Sequence, residues 1–294
     1  MMERSVLMSF VKRGLLVGCF SFLMTSFSYA DPKITFAIDK IDGEIQYDIT
    51  STTNNGASRL IFPYDNTIAE ITATYNINKY RVSLNAATSI GKGSTQGQDF
   101  DWVDGLPTIY SESRANIQDM MKFGIEVARQ YKNHKNIVLF GRLDYRDMNM
   151  DWTDTNQTSG GGSVAVNGKT IDFNQKGLLF STGINYYMPL SPSVLLVITP
   201  YLHVAYIDLE TEYYARDLVT TQKSYPWGAG AQLNLEKSFK KYGTLGLHLG
   251  YNYVQDTDTT MKFKTKSTGV TYAKLPSEYK EDRLKLGIYY RYNF

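Results

Sequence analysis

The residues of this chain best suited to chemistry lie between Asp99 and Arg114. Asp99 and Asp101 stand one residue apart, followed by Trp102, Asp104 and the run Glu112-Ser113-Arg114. Alternate side chains of an extended strand point to one side, so the two carboxylates share one space. Their repulsion raises one pKa toward that of a general base able to take a proton from water. A solvated acidic loop is the plainer account of an isolated Asp-x-Asp, and only the neighbouring Trp102, Asp104 and Glu-Ser-Arg set this one apart. A second acidic stretch, Asp208-Leu209-Glu210-Thr211-Glu212, offers Glu210 and Glu212 as weaker candidates for a base. With Asp104, Glu112 and Asp208 as substrate-binding groups, the sequence predicts an acidic mouth that concentrates cationic peptides. Ordinary charged surface loops would look the same.

Imidazole, which titrates near neutral pH, is the commonest general base, and the chain has three histidines: His134, His203 and His248. His134 sits in a short polar turn, Lys132 to Asn136. His203 and His248 share the parity of the polar faces of their strands, which predicts hydrogen-bonded residues of a polar interior. His203 lies roughly nine residues, around 30 Å along a strand, below the outer end of the acidic stretch near Glu212. The sequence therefore supplies a carboxylate pair without a nitrogen base beside it. It calls for no metal and no cofactor. The one cysteine, Cys19, precedes the expected mature chain, which excludes a disulfide framework. A net charge of +2 with no basic cluster argues against nucleic acid.

The elements that must carry these residues are strands. Leu284, Leu286, Ile288, Tyr290, Tyr292 and Phe294 alternate with Lys285, Gly287, Tyr289, Arg291 and Asn293. One face is wholly apolar and the other holds two cations and an amide, the division needed between hydrocarbon and water. A soluble edge strand of this pattern would invite aggregation. Similar alternation recurs along the chain: near 34–50, 59–77, 80–90, 121–130, 137–152, 178–188, 196–206, 227–236 and 245–253. Tight turns such as Asn78-Lys79, Ser191-Pro192-Ser193 and Lys240 to Gly243 alternate with surface connections at Asn54-Asn55-Gly56 and near 91–114, 153–172, 215–221 and 256–281. The prediction is an all-β, ten-stranded antiparallel transmembrane barrel with tight turns at one rim and five long loops at the other. An even count lets the first and last strands pair and leaves no edge. The 23 tyrosines suit aromatic girdles at the two interfaces.

Residues 1–30 have the form of a cleaved signal peptide: Arg4, Lys12 and Arg13, then an apolar run, then Ser28-Tyr29-Ala30. The alternative, lipidation at Cys19, leaves too short an apolar core. Residues 31–294 form the barrel domain, with no linker or internal repeat. The expected place is the bacterial outer membrane, with the long loops at the cell surface.

The closing strand, ending on Phe294, resembles the C-terminal strand of bacterial outer-membrane barrels. Asp99-Phe100-Asp101-Trp102-Val103-Asp104 with Glu112-Ser113-Arg114, supported by Ser58-Arg59-Leu60 and Phe173-Asn174-Gln175-Lys176, resembles the omptins, outer-membrane endopeptidases built on ten-stranded barrels. The resemblance implies that Asp99 and Asp101 form one catalytic pair, facing an Asp-His pair from the fourth long loop. That loop reads Asp208 to Tyr214 without a histidine, so the proteolytic set is incomplete. It also implies lipopolysaccharide, as a bound lipid or as a requirement for activity, held by Asp144, Arg146 and Lys176. Asp144 and Arg146 share parity with Phe140, taken as the hydrocarbon face, and Lys176 shares it with Leu178 and Phe180. Cations near a rim on that face are costly unless paired with anions such as lipid phosphates. Three functions follow: a surface barrel binding cationic peptides or host proteins, an endopeptidase with an altered site cutting beside basic residues, and a small pore. The pore is disfavoured because side chains can fill a ten-stranded lumen.

Overall fold

The tight turns and closing alternation build a closed ring. The computed structural model describes residues 32–51, 55–132 and 134–294. The expected signal peptide, Cys19 and residues 52–54 before the second strand lie outside these. The strands are β1 (Lys33–Thr50), β2 (Gly56–Ile77), β3 (Tyr80–Lys92), β4 (Ser94–Val103), β5 (Leu106–Gln130) and β6 (Ile137–Ser159). They continue as β7 (Gly162–Ser191), β8 (Val194–Tyr213), β9 (Leu218–Ser224), β10 (Trp227–Ser238), β11 (Thr244–Lys264) and β12 (Thr271–Asn293). β3 and β4 are consecutive parts of one wall strand, both pairing with β2 and β5. β9 and β10 are likewise parts of another, between β8 and β11. The twelve segments thus make ten wall strands. β1 pairs antiparallel with β12 from Lys33↔Asn293 to Ile49↔Ser277, which closes the ring. With each wall strand paired to a neighbour on both sides, the wall can cross hydrocarbon.

Leu284, Leu286, Ile288, Tyr290 and Tyr292 of β12 are exposed on the outer face, while Tyr289 is buried inside. Apolar side chains turned outward around the wall, such as Leu178, Leu202, Leu233 and Leu247, continue this band. Segments expected to be long loops are instead strands that run past it. The stretch 91–114 is largely the hairpin β4–β5, turning at Asp104 and Gly105, both with positive φ (52° and 76°). Such a two-residue turn matches the twist of its strands. Beyond the membrane both strand faces can carry polar groups, so residues such as Thr95 and Gln96 occupy both parities and the period-two signal fades.

The interior has two layers. Toward the tight turns it is wet and charged. Asp39 meets Nε2 of His248 at 2.6 Å and Nζ of Lys285 at 2.7 Å, and Glu70 takes Lys122 at 3.1 Å. Arg81 pairs with Glu126 at 3.1 Å, and Arg291 pairs with Glu236. These surround a lumen of about 470 Å³. Toward the long hairpins it is dry. Phe62 packs against Trp152 and Phe173, with ring centroids 4.6 Å apart in each case, and Tyr47 lies 5.6 Å from Tyr279. Ile45, Ile68, Ile117, Met148 and Met150 complete this core. An interior filled in this way is a packed support for the hairpin end rather than a channel.

One expectation is corrected here. Asp144 and Arg146 are buried inside the wall, not on the lipid face. Phe140, used to mark the hydrocarbon face, is itself an inward residue, and Leu139, Leu143 and Tyr145 point outward instead. Arg146 forms a bidentate pair with Glu281, 2.5 and 2.6 Å, and donates to Oε1 of Gln175 at 2.8 Å. The hydroxyls of Tyr64 and Tyr279 also donate to Glu281, at 2.8 and 2.7 Å. A charge pair can sit in a dry core only with its remaining hydrogen-bonding sites satisfied in this way. Asp144 pairs with Nε of Arg142 at 2.8 Å.

Candidate functional site

β4 holds the carboxylate pair. It runs beside β2, with Asp99 opposite Leu60 and Asp101 opposite Ser58. Gly97, Asp99 and Asp101 share the inward parity, and Gly97 is a glycine because the indole of Trp152 lies where a Cβ would be. That ring presses β4 against the dry core and fixes the height of the two aspartates above it. Phe100 and Trp102 take the opposite parity and stack on the outer side, centroids 5.7 Å apart, with Tyr110 4.7 Å from Phe100. The hairpin is thereby clamped on both faces.

The hydroxyl of Ser58 reaches Oδ1 of Asp99 at 3.4 Å. Burial, and then the charge of Asp101, push the Asp99 carboxyl up from 3.8 to about 7. The Arg216 guanidinium and the Ser58 hydrogen bond oppose this shift without cancelling it. At neutral pH Asp99 is thus divided between acid and carboxylate, the state a general acid or base requires.

The end of β8 and the turn after it supply two groups that act electrostatically on the pair. Tyr213, the last residue of β8, is inward, and its hydroxyl pKa is pushed up by burial and then by the charge of Asp99. Arg216, in the turn itself, acts electrostatically on both Asp99 and Tyr213. Sequence reasoning missed both. Tyr213 shares parity with Leu209 and Thr211 and was discoverable on that ground; Arg216 lies in a turn, where no period points to it.

The remaining acids do not join the pair. Asp208 and Glu210 are exposed on the outer face of β8, and Glu212, of the same parity, pairs with Lys266. The weaker base candidates Glu210 and Glu212 therefore point away from Asp99, because the inward parity of β8 belongs to Leu209, Thr211 and Tyr213. Glu112 is also turned outward, accepting from Nε2 of Gln96 at 2.6 Å and from the Tyr110 hydroxyl. Asp104 lies at the hairpin tip and accepts from Nδ2 of Asn55 at 3.2 Å. In place of a single acidic mouth, the structure has an inner pair and separate outward acids.

His203 is inward, but its Nε2 meets the carbonyl of Tyr253 at 3.2 Å, while His248 is held by Asp39 in the wet layer. His134 stacks on Tyr131 at the tight-turn end. Neither interior histidine is brought to Asp99. Lys176 is exposed on the outer face beyond Leu178 and Phe180, and is flanked in register by Asp147 and Asp208. Among the described residues no group of three or more His, Cys, Asp or Glu is placed to hold a metal ion.

No family model matches the sequence, and no curated protein matches it. Solved structures do. The outer membrane protease OmpT from Escherichia coli superposes with a TM-score of 0.79 at 12% identity, covering 92% of this chain and 100% of that one. The translocator domain of the autotransporter NalP from Neisseria meningitidis gives 0.39 at 8% identity, with 97% of each chain covered. OprG from Pseudomonas aeruginosa gives 0.36 at 12%, covering 90% of this chain and 97% of that one. The fold is that of an outer-membrane β-barrel resembling OmpT.

Proposed function

We propose that this protein is an omptin-like outer-membrane barrel whose hairpin end binds cationic peptide segments at Asp99 and Asp101 without cutting them by an imidazole-assisted route. One observation carries this: the groups from other strands that act on the pair include Tyr213 and Arg216, while the interior histidines are held by Tyr253 and Asp39. Water activation of the kind implied by the omptin resemblance needs a nitrogen base that gives up and takes back a proton near neutral pH. An arginine stays protonated and cannot serve. Two carboxylates against one guanidinium leave the cleft able to accept a further cation, such as a lysine or arginine side chain. The packed interior beneath supports a rigid receptor.

A second function has its own support. Asp99, half ionised at neutral pH, is placed to act as base, and the Arg216 guanidinium to stabilise a developing oxyanion. On that reading the chain is an endopeptidase with an altered site, cutting beside basic residues. A dibasic fluorogenic peptide added to refolded protein with lipopolysaccharide separates the two. Binding without turnover, lost in Asp99→Ala/Asp101→Ala, is the expected result. Turnover abolished by that double substitution would establish the enzyme instead.

Contact with lipopolysaccharide is part of the proposal and rests on Lys176. Its ammonium stands on the outer face just past the apolar band, where a lipid phosphate would meet it. Lys176→Ala is expected to weaken lipopolysaccharide binding, and an unchanged affinity would remove this element.

A further inference from the structure

The interior charges of the wall pair off, with one exception. Asp144 answers Arg142, Asp39 and Glu70 answer Lys285 and Lys122, and Glu281 is taken on both oxygens by Arg146. Arg283, two residues from Glu281 and of the same inward parity, has no ion pair or hydrogen bond through its guanidinium among the described residues. It lines a small cavity of about 60 Å³ together with Lys122, Arg142 and Lys285. No acid lines that cavity among the described residues, and its roof is the underside of the dry core, Ile41, Ile68 and Met120. It shares Lys122, Arg142 and Lys285 with the larger lumen and so continues into it.

We propose that this cavity is a binding site for a small oxyanion, of the size and charge of phosphate or sulfate, held by Arg142, Arg283, Lys122 and Lys285. Size permits it: about 10–15 Å³ on this measure admits one water, so the space suits a few waters or one tetrahedral anion. Charge favours it, because Arg146 and Arg283 share the single carboxylate of Glu281 and leave one positive charge over inside a wall surrounded by hydrocarbon. Geometry favours an oxyanion over a halide, since two guanidinium groups offer planar forks of N–H donors that match paired oxygens. Asn252 and Tyr201, on the same lining, are residues that carry neutral donors. The anion comes from solution rather than from a lipid headgroup. The site lies inside the strand wall, and its opening leads through the lumen toward Lys33 and Arg291 at the tight-turn end.

Calorimetric titration of inorganic phosphate into the detergent-folded chain, in an uncharged detergent at constant ionic strength with chloride, tests this. One saturable site per chain is expected, with affinity about tenfold or more weaker in Arg283→Gln and intermediate in Arg283→Lys. Lys176→Ala, altered only on the outer face, should bind as the unaltered protein does; weakened binding there would move the site to the lipid side and overturn the proposal. Unfolding midpoints give a second measurement. Phosphate should raise the midpoint of the unaltered protein and leave that of Arg283→Gln unmoved. Without phosphate, Arg283→Gln should be no less stable, because it removes the surplus positive charge and leaves Glu281 its bidentate pair with Arg146. The proposal is overturned by absence of saturable binding up to about 10 mM phosphate, by equal affinity in Arg283→Gln, or by chloride competing as well as phosphate.

Discussion

Replacing Asp99 by asparagine should flatten the pH dependence of stability. In the folded protein this carboxyl titrates at about 7, against 3.8 when solvated. Between those values the folded state keeps a proton that the unfolded chain has released, so stability falls as pH rises through the interval and is least above it. A gap of about three pKa units at 1.36 kcal/mol each gives about 4 kcal/mol at most. Asp99 is partly reached by solvent, so about 2–3 kcal/mol is the better expectation. Asparagine keeps the shape and cannot ionise. Asp99→Asn should therefore match the unaltered protein near pH 4 and exceed it by that amount near pH 8. Urea unfolding in detergent at a series of pH values, followed by the fluorescence of Trp102, Trp152 and Trp227, reads this out. Asp101→Asn should give an intermediate slope, since it removes the second cause of the shift and leaves burial. Parallel pH profiles for the unaltered protein and Asp99→Asn would refute the reasoning and return the pair to an ordinary solvated loop.

Arg146→Ala should destabilise the barrel by about 3–5 kcal/mol, because it strands Glu281 in the dry core, and should leave lipopolysaccharide affinity unchanged once folded. A variant of unaltered midpoint but weakened lipid binding would put Arg146 back on the outer face. Gly97→Ala places a methyl group against the Trp152 ring and should cost about 1–3 kcal/mol, together with weaker peptide binding as β4 shifts. An unmoved urea midpoint would show that the ring does not set the position of β4.

The closing strand was legible because hydrocarbon tolerates one kind of side chain: every second residue of 284–294 had to be apolar. The wall count followed, since each tight turn is a local pattern. Above the membrane that constraint lapses, and β4 reads as a loop although it pairs along its whole length with β5. Parity failed on β6 for a related reason. The packed layer of the interior is as apolar as the lipid, so Phe140 could serve either side, and the side was decided by Glu281 on β12, distant in sequence. The carboxylate pair was legible as a motif, while the residues facing it were not, because β4 meets the β8–β9 turn across the ring.

The two-layer interior has a consequence for what the hairpin end can do. A carboxylate pair over a water-filled lumen would be solvated from below, and its members would titrate almost as free acids. Over the dry core, with the Trp152 indole beneath Gly97, solvent reaches Asp99 from the outer end alone. Burial is accordingly the first cause of its shift and the neighbouring charge the second. The aromatic stack of Phe62, Trp152 and Phe173 is thus part of the site's chemistry as well as of its support. Opening that stack, as Phe62→Ala would, should lower the Asp99 pKa toward the solvated value even with every group around the carboxylate unchanged.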